Sequence, residues 1–176
     1  MGPFPHSAAK ASISAANPAG TDGFEFVEFA HPQPQELRDL FARMGYALTA
    51  RHKTRDIELW QQGDVTYVLN NDPESHAARF VAEHGPCAPS MGWRVVDAAH
   101  AFAHAVKMGA TPYTGSDKAL DVPAIVGIGG SLIYFVDQYG EGRHPYGDFD
   151  FLTAPKPRGV GFHYLDHLTH NVHKGN

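Results

Sequence analysis

The sequence predicts an α+β fold in which two βαβββ modules lie side by side and curl their sheets into one half-open barrel. Three observations carry this expectation. An aromatic or apolar strand runs into an amphipathic helix at 23–44 and again at 90–108, and each helix ends on the same dipeptide, Met44-Gly45 and Met108-Gly109. Each unit later turns a hairpin on glycine, at Gln62-Gly63-Asp64 and at Gly129-Gly130. A pattern that recurs in this order marks an internal duplication.

Residues 1–20, rich in Pro, Ala, Ser and Gly, carry no usable period and are expected to form a flexible arm. The first strand is predicted over 23–30, where Phe24, Phe26, Val27 and Phe29 are interleaved with Glu25 and Glu28. Pro32 and Pro34 end it and open a helix, with Pro34 in the first turn, where a missing N–H costs nothing. Leu37, Leu40, Phe41 and Met44 follow at helical spacing, and Gly45 closes the helix. Strands are then predicted over 46–53, 56–61 and 65–70. Asp72-Pro73 is the expected cap of a connecting helix whose small apolar face is Ala77, Ala78, Phe80 and Val81, ended by Gly85.

The second unit repeats the plan. A strand over 90–96 meets Asp97, a helix cap, and Ala98, Phe102, Ala105 and Val106 give the helix its apolar face. A hairpin over 124–128 and 131–137 completes it. Gly127-x-Gly129-Gly130 reads as a turn and not as a phosphate loop, because a strand follows it where a phosphate loop needs a helix N-terminus. Pro155, Pro157, Gly159 and Gly161 mark a linker. The expected organisation is thus an arm at 1–20, a metal-free paired-module domain at 21–154, a linker at 155–163, and at 164–176 the first strand of a further, truncated domain.

Composition narrows the functional classes. At 176 residues, 43% hydrophobic and 19% charged, the chain has enough apolar material for one good core. A net charge of -5 with only Arg51-His52-Lys53 and Arg55 as a compact basic patch argues against a nucleic-acid surface. No stretch is apolar over the roughly 18 residues of a membrane span, and the N-terminus has no signal-type apolar core. The single cysteine, Cys87, excludes an internal disulfide and fits a reducing, cytoplasmic setting. Nothing around it supplies a base that would make it a nucleophile.

Chemistry concentrates near the end, in Tyr164-Leu165-Asp166-His167-Leu168-Thr169-His170-Asn171-Val172, with histidines at 163, 167, 170 and 173. Imidazole is the commonest protein ligand for mid-row transition metals, and an adjacent carboxylate can fix its tautomer. Tyr164, Thr169 and Val172 favour a strand, on which His163, His167 and His173 share one side. Taken alone, the segment reads better as a solvated histidine-rich tail capable of adventitious metal binding, and only the rest of the chain lifts it above that. Glu25, Trp93, Arg94 and Tyr134 are the candidates for convergent polar groups should the paired modules hold a pocket, with Arg94 as a surface or ion-paired side chain the alternative.

Asn17-Pro18-x-Gly20-x-Asp22-Gly23-Phe24-Glu25-Phe26-Val27-Glu28-Phe29, Ala77-Ala78-Arg79-Phe80 with Glu83-His84-Gly85-Pro86, Ile128-Gly129-Gly130-Ser131-Leu132-Ile133-Tyr134, and above all the stretch at 164–172 stand out as motifs. Together they resemble the bacterial 4-hydroxyphenylpyruvate dioxygenases of the vicinal-oxygen-chelate superfamily, proteins of glyoxalase type. The resemblance runs from Asn17 to the end and covers the amino-terminal half of such an enzyme. It implies a mononuclear non-haem Fe(II) held by two histidines and a glutamate, with 4-hydroxyphenylpyruvate, an aromatic α-keto acid, and O2 as partners. It further implies homogentisate and CO2 as products, a place in tyrosine and phenylalanine catabolism, and homo-oligomer contacts.

By the same resemblance His167 is the first iron ligand and His170 is not one. The remaining ligands would belong to the carboxyl-terminal half, so the isolated chain is expected to be inactive. Laying the repeat over the catalytic domain puts the corresponding positions near Phe24, Ser90 and Tyr134, which cannot supply two histidines and a glutamate. Hydroxymandelate synthase, of the same fold and substrate, is the alternative within the family. A metal-free binding or assembly module, and a dimer that exchanges the terminal strand, are the alternatives outside catalysis.

Overall fold

The computed structural model describes residues 9–140, 142–152 and 159–170. Its strands are β1 (Thr21–Ala30), β2 (Ala47–His52), β3 (Ile57–Gln62), β4 (Val65–Asn70), β5 (Cys87–Val95), β6 (Ala124–Val126), β7 (Leu132–Val136) and β8 (Phe149–Phe151). The helices are α1 (Pro34–Arg43), α2 (His76–His84) and α3 (Ala98–Lys107). The strands form one eight-stranded sheet in the order β6-β7-β5-β1-β4-β3-β2-β8.

The duplication is visible in the pairing. β1 pairs parallel with β4, and β4 antiparallel with β3; β5 pairs parallel with β7, and β7 antiparallel with β6. The modules join where β1 runs antiparallel to β5, with Val27 opposite Met91 and Glu28 opposite Ser90. This is the predicted half-open barrel of two related modules. One member of the repeat is reduced: the second module's counterpart of β2 is only an isolated bridge, Pro112 to Ile125, held by Tyr113 N to Ala124 O and Val126 N to Thr111 O, both 2.9 Å. Pro112 has no N–H to give to a ladder, which limits the pairing.

Helices cover the outer face. α1 lays Phe41 over Tyr46, Trp60, Val65 and Leu69, while α3 lays Ala98 and Ala101 over Val95, Ile125 and Phe135. The concave face is lined by Phe26, Ala50, Ile57, Leu59, Val68, Leu132, Tyr134 and Val136. Tyr146 and Phe149 pack into it as the chain returns from the second module to add β8 to β2, and Ala119 and Leu120 fill it from the other side. Burying each large apolar side chain contributes about 1.5–3 kcal/mol, so the filled interior is the main store of stability. The fit is close. A Cβ at Gly92 would collide with the ring of Phe26, so this strand position tolerates only glycine unless the ring moves.

Four expectations are corrected. The arm is docked from Ala11 onward: Ala11 N donates to Asp22 Oδ1 (3.1 Å), the Asn17 side chain bridges Thr21 N and Thr21 O (2.9 Å each), and Val96 N donates to Gly20 O (2.9 Å). Residues 1–8 lie outside the described residues. The cap of α2 is Ser75, whose Oγ accepts from Ala78 N, and not Asp72, whose carboxylate is taken by Arg55 (2.5 Å). Within the linker, 159–163 is packed onto the first module, while 153–158 lie outside the described residues. No strand forms over 162–170, because β6 and β8 are the edges of the sheet and neither takes this segment as a neighbour. Residues 171–176, with His173, lie outside the described residues.

Candidate functional site

His167 stands on the exposed segment beyond the packed part of the linker. Its Nδ1 is 2.5 Å from Asp166 Oδ2, and the two side chains are 74% and 65% exposed. In the neutral tautomer that places Nδ1–H against this carboxylate, Nε2 carries the lone pair, the arrangement in which a carboxylate orients a metal-binding imidazole. His163 and His170 are exposed on the same segment. Among the described residues no group of three or more His, Cys, Asp or Glu side chains is gathered closely enough to hold a metal ion. The donor set of Fe(II) is therefore not met by the described residues alone, and no reaction step is placed on them.

The positions related by the repeat behave differently. Phe24 packs edge-on against Trp93, ring centroids 5.7 Å apart. Ser90 and Tyr134 point into the barrel, where they belong to a buried cluster around Glu28. Asn70 Nδ2 donates to Glu28 Oε1 (2.7 Å), Ser90 Oγ donates to Glu28 Oε2, and the Tyr134 hydroxyl accepts from Ala119 N (3.0 Å). Burial pushes the Glu28 carboxyl above its ordinary value, with the Ser90 and Asn70 hydrogen bonds acting the other way. Burial likewise pushes the Tyr134 phenol up.

A second cluster lies further along the concave face. Arg94 Nε is 3.1 Å from Glu25 Oε2, both side chains at most 3% exposed, and the Tyr146 hydroxyl donates to Glu25 Oε1 (3.3 Å). A register shift between Phe24 and Phe26 turns Glu25 to this side of β1. Between the clusters Phe26 and Tyr134 plug the interior, ring centroids 5.5 Å apart.

The four pocket candidates are thus not gathered into one site. Glu25 and Arg94 form a buried ion pair, Tyr134 belongs to the Glu28 cluster, and Trp93 packs on Phe24. A polar cavity of about 460 Å³ does open at the rim, lined by His52, Arg55, Lys118, Asp121 and Asp148 among others, and it includes none of the four. Its cations are engaged: Arg55 holds Asp72 and Lys118 O, and Lys118 Nζ donates to Val122 O (2.8 Å). Burial first, and the Arg55 charge next, lower the pKa of His52. Sequence reasoning missed the roles of Glu28 and Asn70. The signal for Glu28 was its parity with Phe26 on one strand.

A family model described as "Hydroxyphenylpyruvate dioxygenase, HPPD, N-terminal" matches residues 15–152. The 4-hydroxyphenylpyruvate dioxygenase of Pseudomonas aeruginosa is 44% identical over 175 residues, which are 95% of this chain and 49% of that protein. A solved xylose isomerase-like TIM barrel/4-hydroxyphenylpyruvate dioxygenase fusion protein superposes with a TM-score of 0.69 at 30% identity, over 84% of this chain and 23% of the other. A mutant 4-hydroxymandelate synthase from Streptomyces coelicolor superposes with a TM-score of 0.59 at 20% identity, over 77% of this chain and 43% of the other, and shows the shared fold. The chain spans about half the length of the curated dioxygenase it matches. Since the family match takes in both modules, the join between β1 and β5 and the plugged interior, the chain belongs to the hydroxyphenylpyruvate dioxygenase family and corresponds to its amino-terminal domain.

Proposed function

We propose that the chain is the amino-terminal portion of a non-haem Fe(II) dioxygenase that converts 4-hydroxyphenylpyruvate and O2 to homogentisate and CO2 in tyrosine catabolism. The 44% identity to a protein named for that reaction is the observation that supports this most. In this reading residues 21–154 are a metal-free supporting domain that also contributes homo-oligomer contacts, and His167 is the first iron ligand, oriented by Asp166. One imidazole binds Fe(II) weakly, so the 176 residues alone do not turn over. The free Cys87 and the family membership support a cytoplasmic setting.

Anaerobic Fe(II) titration of the chain, followed by exposure to O2 and 4-hydroxyphenylpyruvate, tests this reading. We expect weak binding that His167→Ala abolishes, and no homogentisate. Tight stoichiometric binding with turnover would overturn the supporting-domain reading, and hydroxymandelate as the product would replace the reaction.

A further inference from the structure

The last residue of β3 makes contacts that a turn residue does not need. Gln62 is fully buried although it ends a strand beside the Gly63-Asp64 turn. Its Nε2 donates to Met44 O (2.7 Å), at the C-cap of α1, where a helix leaves carbonyls without helical partners. Its Oε1 accepts from Val160 N (3.0 Å), 98 residues further along the chain. Two residues after Gln62, Asp64 N donates to His163 O (2.8 Å). Between these bonds the Phe162 ring lies 6.3 Å from Tyr46, which stacks on Tyr67 at 4.3 Å.

Two glycines make room for this. Gly45 and Gly63 have φ of 84° and 53°, which glycine adopts without strain. A Cβ at Gly45 would lie 2.9 Å from Val160 N, and one at Gly63 would collide with Phe162 O. Gly129 has a comparable φ of 66° with nothing within 4 Å, so left-handed backbone and close approach can be separated by experiment.

We propose that Gln62, with the turns at Gly45 and Gly63, is a latch that holds residues 160–163 on the first module and so positions the segment carrying His167. The functional half of this statement rests on the assignment of His167 above; the latch itself does not. His163 is four residues from His167, so pinning its carbonyl confines His167 to within about 14 Å of a fixed point even if the intervening chain is fully extended. Gln62 touches no reacting group. It is a positioning residue, acting through the backbone at Val160.

Amide hydrogen exchange of the whole chain by NMR tests the latch. In the wild type the Val160 and Asp64 amides are expected to be protected. Gln62→Leu keeps the bulk and removes both side-chain hydrogen bonds, so Val160 protection should fall roughly tenfold while the β4 amides of Val68 and Leu69 change less than about threefold. Gln62→Glu offers a conservative rescue with a signature that a general packing role lacks. When protonated it reproduces both bonds, and when ionised it loses the donor to Met44 O and is repelled by that carbonyl, which draws its oxygens out of line with Val160 N. Val160 protection in this variant should therefore fall with rising pH relative to wild type at each pH.

Gly63→Ala should release the segment and Gly129→Ala should not. If Gln62→Leu weakened every amide alike, this glycine pair would decide. Equal exchange at Val160 in the two alanine variants would overturn the latch, as would an unprotected Val160 amide in the wild type. None of these readouts involves iron. A protected Val160 with a failed Fe(II) titration would leave the latch standing and remove the iron reading, whereas an unprotected Val160 would do the reverse.

Discussion

Glu28 is a carboxyl that burial pushes above its ordinary value of 4.5, against the opposing hydrogen bonds of Ser90 and Asn70. The direction sets the sign of its linkage to stability. Because the folded pKa is the higher one, the folded state holds the proton over the interval between the two values, so this group's contribution declines as pH rises through it. This is the reverse of a carboxylate held by an ion pair. We expect wild type to lose stability relative to Glu28→Gln as pH rises above about 4.5, with the variant lacking that slope. Urea midpoints measured from pH 4 to pH 8 would show it, and parallel curves would refute it. At this scale the sequence was unevenly legible. Asp166-His167 could be read because the pair is adjacent in the chain, and the ion-paired alternative for Arg94 was open to inspection. Gln62 could not be read, since its partners at Met44 and Val160 are brought to it only by the fold.

Among the elements, the helices were legible because their signals are local. Pro34 opens α1, Asp97 caps α3 by accepting from His100 N (2.8 Å), and the apolar spacing fixes the faces. The start of α2 shows the limit of such signals, because Asp72 and Ser75 are both good caps and only the fold decides between them. Arg55, pinned by the carbonyl of Lys118, draws the Asp72 carboxylate away, and Ser75 Oγ is left to serve the helix while donating to Asp72 O (2.6 Å). Ser75→Ala should therefore cost about 1 kcal/mol, within the 0.5–2 kcal/mol range of lost caps, measurable by chemical denaturation. An effect indistinguishable from zero would mean that the α2 terminus is satisfied without it. β8 and the bridge at Pro112 went unread for another reason. Each is too short to show alternation, and each exists only because an edge strand offers it a partner. The strand expected at 164–172 shows the same rule in reverse: it has strand-forming residues, but over 162–170 it pairs with neither edge strand, β6 nor β8.

For the molecule as a whole, the duplication predicted the paired modules and their curvature but not that the concave side is filled. The filling comes from Tyr146 and Phe149, beyond the second module, and from Ala119 and Leu120, in the loop that precedes its β6, all in segments without a period. Their effect is to make one core of two modules: Phe26, Leu59 and Val68 from the first pack in the same cluster as Leu132, Tyr134 and Val136 from the second. β8 ties the end of the second module to β2 of the first. Such sharing should make unfolding a single cooperative transition even though the sequence is a tandem repeat. The two tryptophans allow a direct check, since Trp60 lies under α1 in the first module and Trp93 on β5 in the second. In the single-tryptophan variants Trp93→Phe and Trp60→Phe, each referenced to its own circular-dichroism transition, fluorescence and circular dichroism should give coincident urea midpoints. A module that melted on its own would separate its fluorescence midpoint from the global one, and the filled concave face would then be a contact between two folded units and not the core that makes them one.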